Sequence, residues 1–70
     1  MRYAIVIERT ENNYSAYVPD LPGCVATGAS LEETETAIRD AIAFHIEGML
    51  EDGLSVPPAS SQVEYIEIAA

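Results

Sequence analysis

The sequence predicts an α+β domain of order βββαβ, a four-stranded mixed sheet carrying one helix on one face. Three observations predict it. Short runs of β-branched and aromatic residues lie before residue 28 and again at 62–68, a stretch of helical periodicity begins at Leu31, and turn-forming residues separate them. At 70 residues the chain makes one domain, 1–70. A chain of this size buries only about 60% of its unfolded surface. One cysteine and one histidine provide neither an internal disulfide nor a closed zinc site, so self-association, as a homodimer or a tetramer, is the expected reinforcement.

In the first strand, Tyr3, Ile5 and Ile7 fall on one face, the pattern of a largely buried strand. Polar Glu11-Asn12-Asn13 suits a hairpin turn. Tyr14 to Val18 follow as a second strand, with Tyr14, Ala16 and Val18 on one side and Ser15 and Tyr17 on the other. Pro19-Asp20-Leu21-Pro22-Gly23 then makes a rigid corner, in which two prolines fix φ, Asp20 can bond its own following backbone and Gly23 can take positive φ. A short third strand runs from about Cys24 to Thr27.

Ser30-Leu31-Glu32-Glu33 is a capping box, with Ser30 Oγ expected to accept from the Glu33 N–H and the Glu33 side chain to return to the Ser30 N–H. Glu32, Glu33 and Glu35 suit the positive end of the helix dipole. From Leu31 to about Asp52 the residues Leu31, Ile38, Ala41, Ile42, His45, Met49 and Leu50 form one apolar stripe. Ala37, Phe44 and Gly48 flank it, and a glycine inside a helix suggests close packing at that point. Gly53 fits the position that ends the helix, and Leu54 to Ser61, with Pro57-Pro58, is a connection. Gln62 to Ile68 alternate as a fourth strand. A right-handed crossover would place it parallel to the first, giving the sheet order 3-2-1-4, with apolar surface left for a second copy or a partner to cover.

Charge excludes some functions. The chain has no lysine, and three arginines face twelve carboxylates for a net charge of −9. Nucleic-acid affinity rests on basic residues, so direct DNA or RNA binding is not expected, whereas a basic protein would be steered toward this surface. The apolar run at Tyr3–Ile7 stops at Glu8, too short for a signal peptide, and no stretch reaches the ~20 apolar residues of a membrane span. These features predict a soluble protein of the reducing cytoplasm.

The string Tyr17-Val18-Pro19-Asp20-Leu21-Pro22-Gly23-Cys24, with Gly28, Ser30-Leu31-Glu32-Glu33, Ala41-Ile42, Gly53 and Pro57-Pro58 at their offsets, is similar to the N-terminal domain of the HicB antitoxin family. The resemblance covers nearly the whole chain. It implies a partial RNase H-like fold and a partner of the HicA type, a small basic mRNA interferase with a catalytic histidine whose active site the antitoxin masks. It also implies that Pro19, Asp20, Leu21, Pro22, Gly23 and Cys24 form a structural family motif. Proteins of this family commonly add a C-terminal DNA-binding segment, which this sequence does not show, so autorepression by this chain alone is not expected.

Catalytic readings are weaker. Asp20 would be the remnant of a nuclease carboxylate, but RNase H chemistry needs clustered acids around two metal ions, and Glu8, Glu32, Glu33, Glu47 and Glu64 are scattered along strands and helix. Cys24 and His45 would need a third, orienting group to act as nucleophile and base. Tyr3, Tyr14, Tyr17 and Tyr65 lack the basic neighbours of a nucleic-acid stacking surface and suit core and interface roles. The reading is a protein-binding antitoxin module with no cofactor, no metal and no catalytic residue. Its alternatives are an orphan oligomeric domain without a toxin and, more remotely, a metal-dependent nuclease.

Overall fold

The computed structural model describes residues 1–69; Ala70, the last residue of the expected domain, lies outside them. Strands β1 (Val6–Arg9), β2 (Tyr14–Tyr17) and β3 (Val25–Gly28) form an antiparallel sheet of order β1-β2-β3, and helix α1 (Leu31–Glu51) packs on it. Val6 pairs with Tyr17 and Arg9 with Tyr14 in the first hairpin, while Tyr14 pairs with Gly28 and Tyr17 with Val25 in the second. The strand expected over 3–7 pairs only from Val6 onward. Continuing the register would set Tyr3–Ile5 against Val18–Asp20, where Pro19 has no N–H to give to a ladder and the chain turns away.

The core is Ala16, Val18, Leu21, Cys24 and Ile38, with Tyr3, Ile5, Ile7, Ala26, Ala41, Ile42 and Ile46 packed around it. The proline-rich corner feeds this core directly. Val18 N–H donates to the Cys24 carbonyl, Leu21 N–H to Val18 and Cys24 N–H to Leu21. That winding points residues 18, 21 and 24 inward and leaves Pro19, Pro22 and Gly23 outside, with Gly23 at φ 84°. Leu21 is fully buried, and truncating such a side chain costs about 2–5 kcal/mol.

Helix α1 starts where the sequence predicts. Glu33 N–H donates to Ser30 Oγ at 3.1 Å, but the Glu33 carboxylate reaches one residue further back than expected, accepting from the Ala29 N–H at 3.1 Å. Buried Thr34 donates its hydroxyl to the Ser30 carbonyl at 2.7 Å, so no polar atom is stranded there. Directly beneath it lies Gly28. A Cβ at that position would stand 2.6 Å from Thr34 Oγ1 and 2.7 Å from Thr34 N, so β3 approaches the first turn of α1 as closely as a backbone without a side chain allows. The helix ends in a Schellman motif: Gly53 at φ 71° donates to the Leu50 carbonyl and Leu54 N–H to Met49.

The predicted fourth strand does not pair within the chain. Residues 62–68 carry no strand hydrogen bonding, and Val63, Tyr65, Ile66 and Ile68 are 54%, 95%, 79% and 75% exposed. The sheet is therefore three-stranded and wholly antiparallel, in place of the mixed order 3-2-1-4. Alternation gives a segment strand propensity, but a strand exists only where an edge is met, and here the connection leads the segment off the body. Tyr3 Oη donates to the Pro57 carbonyl. The Asp20 carboxylate accepts from the Ser60 and Ser61 N–H groups at 3.1 and 3.0 Å, and from their hydroxyls at 3.2 and 2.8 Å. Asp20 thus bonds serines forty residues away, not its own turn.

Gly48 also departs from expectation: nothing lies within 4 Å of where its Cβ would stand, so no close approach inside the chain requires it.

Three predictions follow from this packing. Gly28→Ala should destabilise the domain by about 1–3 kcal/mol, since Thr34 backbone must move to admit the methyl; urea unfolding reads this out. Gly48→Ala should stabilise it by about 0.5–1 kcal/mol in the same assay, and a loss would mean that an assembled state covers this site. Asp20 is held below the usual carboxylate range, first by the Ser61 N–H and next by the Ser61 hydroxyl. A lowered folded-state pKa means that the clamp contributes fully above the unfolded value of about 3.9 and is lost as pH falls through the lower folded value. The thermal midpoints of the native chain and Asp20→Asn should accordingly differ at neutral pH and converge on acidification below about pH 4.

Candidate protein-binding surface

Helix α1 is longer than the sheet it covers. Its 21 residues span ~31 Å, against ~13 Å for a four-residue strand. Only Thr34 and Ile38 are fully buried on it. Ile46 is the last helix residue packed against the core, and the expected apolar stripe is seated unevenly: His45 and Met49 are half-buried, whereas Leu31 and Leu50 are exposed.

On the outer face, Glu32, Glu33, Thr36, Asp40, Glu47 and Glu51 are all exposed, and Glu32, Glu33, Thr36, Ala37 and Asp40 border a shallow open depression. Phe44 stands beside this row, 79% exposed. Four residues from Asp40 and three from Glu47, it is their neighbour on the helix surface. Periodicity placed Phe44 in a flanking packing line; in the structure that line turns to the outer face, away from the sheet. A large exposed aromatic with two carboxylates beside it combines an apolar anchor with charge selectivity for a basic protein.

The other sequence candidates resolve into structural parts. Cys24 is 3% exposed in the core, and burial pushes its thiol pKa up, which disfavours the thiolate that nucleophilic chemistry needs. The corner residues Pro19 to Cys24 gather the core and, through Asp20, anchor the returning chain. Ser30 and Glu33 cap the helix. Among the described residues no three His, Cys, Asp or Glu side chains gather in a group that could hold a metal ion. No helix among them is long and apolar enough to cross a membrane.

A second feature lies on the opposite flank of the helix. Tyr3 and Ile5 face Ile38 and Ile42 across a groove of about 220 Å³, with Glu35 and Arg39 at its rim. A cleft next to it is lined by Arg2, Tyr3, Ala4, Ser61 and Val63. Sequence reasoning missed this groove, because it exists only when residues 62–68 do not fill the place beside β1.

Comparison with known proteins bears on these surfaces. Residues 3–69 match the family profile described as the HicB-like antitoxin of bacterial toxin–antitoxin systems. The chain is 44% identical over 66 residues to an uncharacterized 14.9 kDa protein from the rep–hol intergenic region of Haemophilus phage HP1, covering 94% of this chain and 50% of that protein. It is 42% identical to a UPF0150 protein of Helicobacter pylori, over 91% of this chain and 90% of that one. Similarity to antitoxin HicB 2 of Photorhabdus laumondii is 28% over the whole chain and 51% of the relative. The chain thus spans about half the length of the phage protein and of HicB 2. Among solved structures it resembles a chain of a HicA3 and HicB3 toxin–antitoxin complex, with TM-score 0.74 and 30% identity over 84% of this chain and 70% of that one. With a match running from the first strand through the exposed C-terminal segment, this chain belongs to the family of HicB-like antitoxins.

Proposed function

We propose that this chain is the toxin-binding module of a toxin–antitoxin pair, and that it neutralises a basic, HicA-like mRNA interferase by covering its active site. The observation that carries the reading is its structural likeness, at 30% identity, to a chain of the HicA3 and HicB3 complex. Charge supports it independently: at net −9, with the outer face of α1 carrying Glu32, Glu33, Asp40, Glu47 and Glu51, the surface is complementary to a cationic ribonuclease. The module acts by binding. On this reading it works in the cytoplasm, where an mRNA interferase meets its substrate.

The docking surface on this reading is the outer face of α1, with Phe44 as its apolar anchor and Asp40 and Glu47 beside it. Such an arrangement blocks RNA twice, by occupying the site and by presenting carboxylates where phosphates would bind.

Co-expression with a HicA-like toxin, followed by affinity purification and an RNA-cleavage assay, tests the proposal. A stable complex and arrested cleavage are expected. Phe44→Ala should weaken the complex by roughly 30-fold or more, the scale of a hot-spot truncation of about 2 kcal/mol, while leaving the thermal midpoint of the free chain nearly unchanged because the ring is exposed. Asp40→Lys with Glu47→Lys should slow association most strongly at low salt. Cleavage that continues in the presence of a folded chain would overturn the reading and leave an oligomeric domain without a toxin.

A further inference from the structure

Among the described residues β3 pairs only with β2, so its outer edge is free. The phase of the ladder decides which groups that edge offers. Val18 N–H donates to the Cys24 carbonyl at 3.2 Å, and residues 18 and 24 continue the register in which Ala16 faces Ala26 and Tyr14 faces Gly28. Along a strand of an antiparallel pair, residues that bond the neighbour alternate with residues that bond away from it. Residues 24, 26 and 28 therefore bond β2, and the N–H and C=O groups of Val25 and Thr27 point outward. The strand reads Val-Ala-Thr-Gly, without charge or proline, and its register holds no bulge. Charges, prolines and bulges are what keep an edge from pairing, and β1, by contrast, carries Glu8 and Arg9.

The helix leaves room beside β3. Glu35, Arg39 and Ile42 border the groove on the β1 side. At about 100° per residue, Ala37, Ala41, Phe44 and Gly48 fall on the other side of α1, the side on which Thr34 meets Gly28 of β3. Nothing lies within 4 Å of a Cβ at Gly48, and Phe44 is 79% exposed, so a strand laid along β3 meets small side chains and one free aromatic ring. Charge selects the occupant. Glu33, Asp40 and Glu51 are exposed on this side of the helix, whereas Arg2 and Arg9 belong to the first extended segment and Arg39 to the groove beside it. A second copy laid across β3 would set one acidic flank against another, a costly juxtaposition, and a basic chain meets no such cost.

We infer that an extended, basic segment of the toxin adds as a strand to the β3 edge, bonding the outward N–H and C=O groups of Val25 and Thr27 while Phe44 packs over it. The inference rests on the antitoxin reading and carries its docking surface from the outer face of α1 down to the sheet edge. In such strand addition the main-chain bonds supply affinity, and here Phe44 and the acids beside it supply selectivity.

The test is residue-resolved hydrogen exchange on the full chain, free and bound to a HicA-like toxin. In the free chain the Val25 and Thr27 amides should exchange rapidly and those of Ala26 and Gly28 slowly. In the complex Val25 and Thr27 should gain protection of roughly a hundredfold or more. Val25→Pro removes only an outward donor, at the first residue of an edge strand where proline is tolerated. It should leave the thermal midpoint of the free chain nearly unchanged and weaken the complex by roughly tenfold; should it unfold the chain, the exchange pattern of the native sequence still decides. A tight complex in which both amides exchange rapidly would overturn the edge and leave the antitoxin reading standing on the α1 face. Protection that appears without toxin and grows with the concentration of this chain would assign the edge to a second copy, and overturn the inference too. Failure of any complex to form would overturn both.

Discussion

The contact between β3 and the first turn of α1 sets everything else in place. At Gly28 the strand passes so near Thr34 that a single added methyl would overlap backbone. This closeness brings Ile38 down onto Ala16, Val18, Leu21 and Cys24, the whole of the fully buried apolar core. A core of five such residues is small for a chain whose net stability, on the general scale of 0.05–0.15 kcal/mol per residue, amounts to only about 4–10 kcal/mol. The geometry of that one seam decides how much of the helix is anchored.

Because the helix is seated at its N-terminal end and outruns the sheet, its C-terminal half is left with apolar residues that the chain cannot cover. Phe44, Leu50 and Leu54 are exposed there, while on the β1 side the groove stays open. These two surfaces differ in chemistry. Phe44 sits among carboxylates and suits a cationic protein; the groove is walled by apolar side chains, with Glu35 and Arg39 at its rim. The two surfaces lie on opposite flanks of α1.

The corner Pro19–Cys24 shows how a short motif can do several structural jobs at once. Its three-residue winding delivers Val18, Leu21 and Cys24 to the core, Pro19 stops the first hairpin from zipping further, and Asp20 turns outward to hold Ser60 and Ser61. The anchoring carboxylate is held below the usual carboxylate range by the Ser61 N–H and hydroxyl donors it accepts from. A change at Asp20 would thus act on the direction of the C-terminal segment and leave the core intact.

Local chemistry alone determined much of this protein. The hairpin at residues 11–13, the corner, the Ser30–Glu33 cap, the helix from Leu31 and its glycine stop are dictated by residues within a few positions of one another, and the family was legible from their spacing. Net charge likewise pointed toward a basic partner, without marking the face it would meet. What only the tertiary structure decided were matters of reach. Whether Phe44 is packed or presented depends on which face of α1 meets the sheet, Asp20 finds its partners forty residues away, and Gly28 rather than Gly48 is the glycine that close packing requires. The fate of 62–68 was equally out of local view: alternation states that a segment can be a strand, but the edge that accepts it is a long-range matter of where the connection releases the chain.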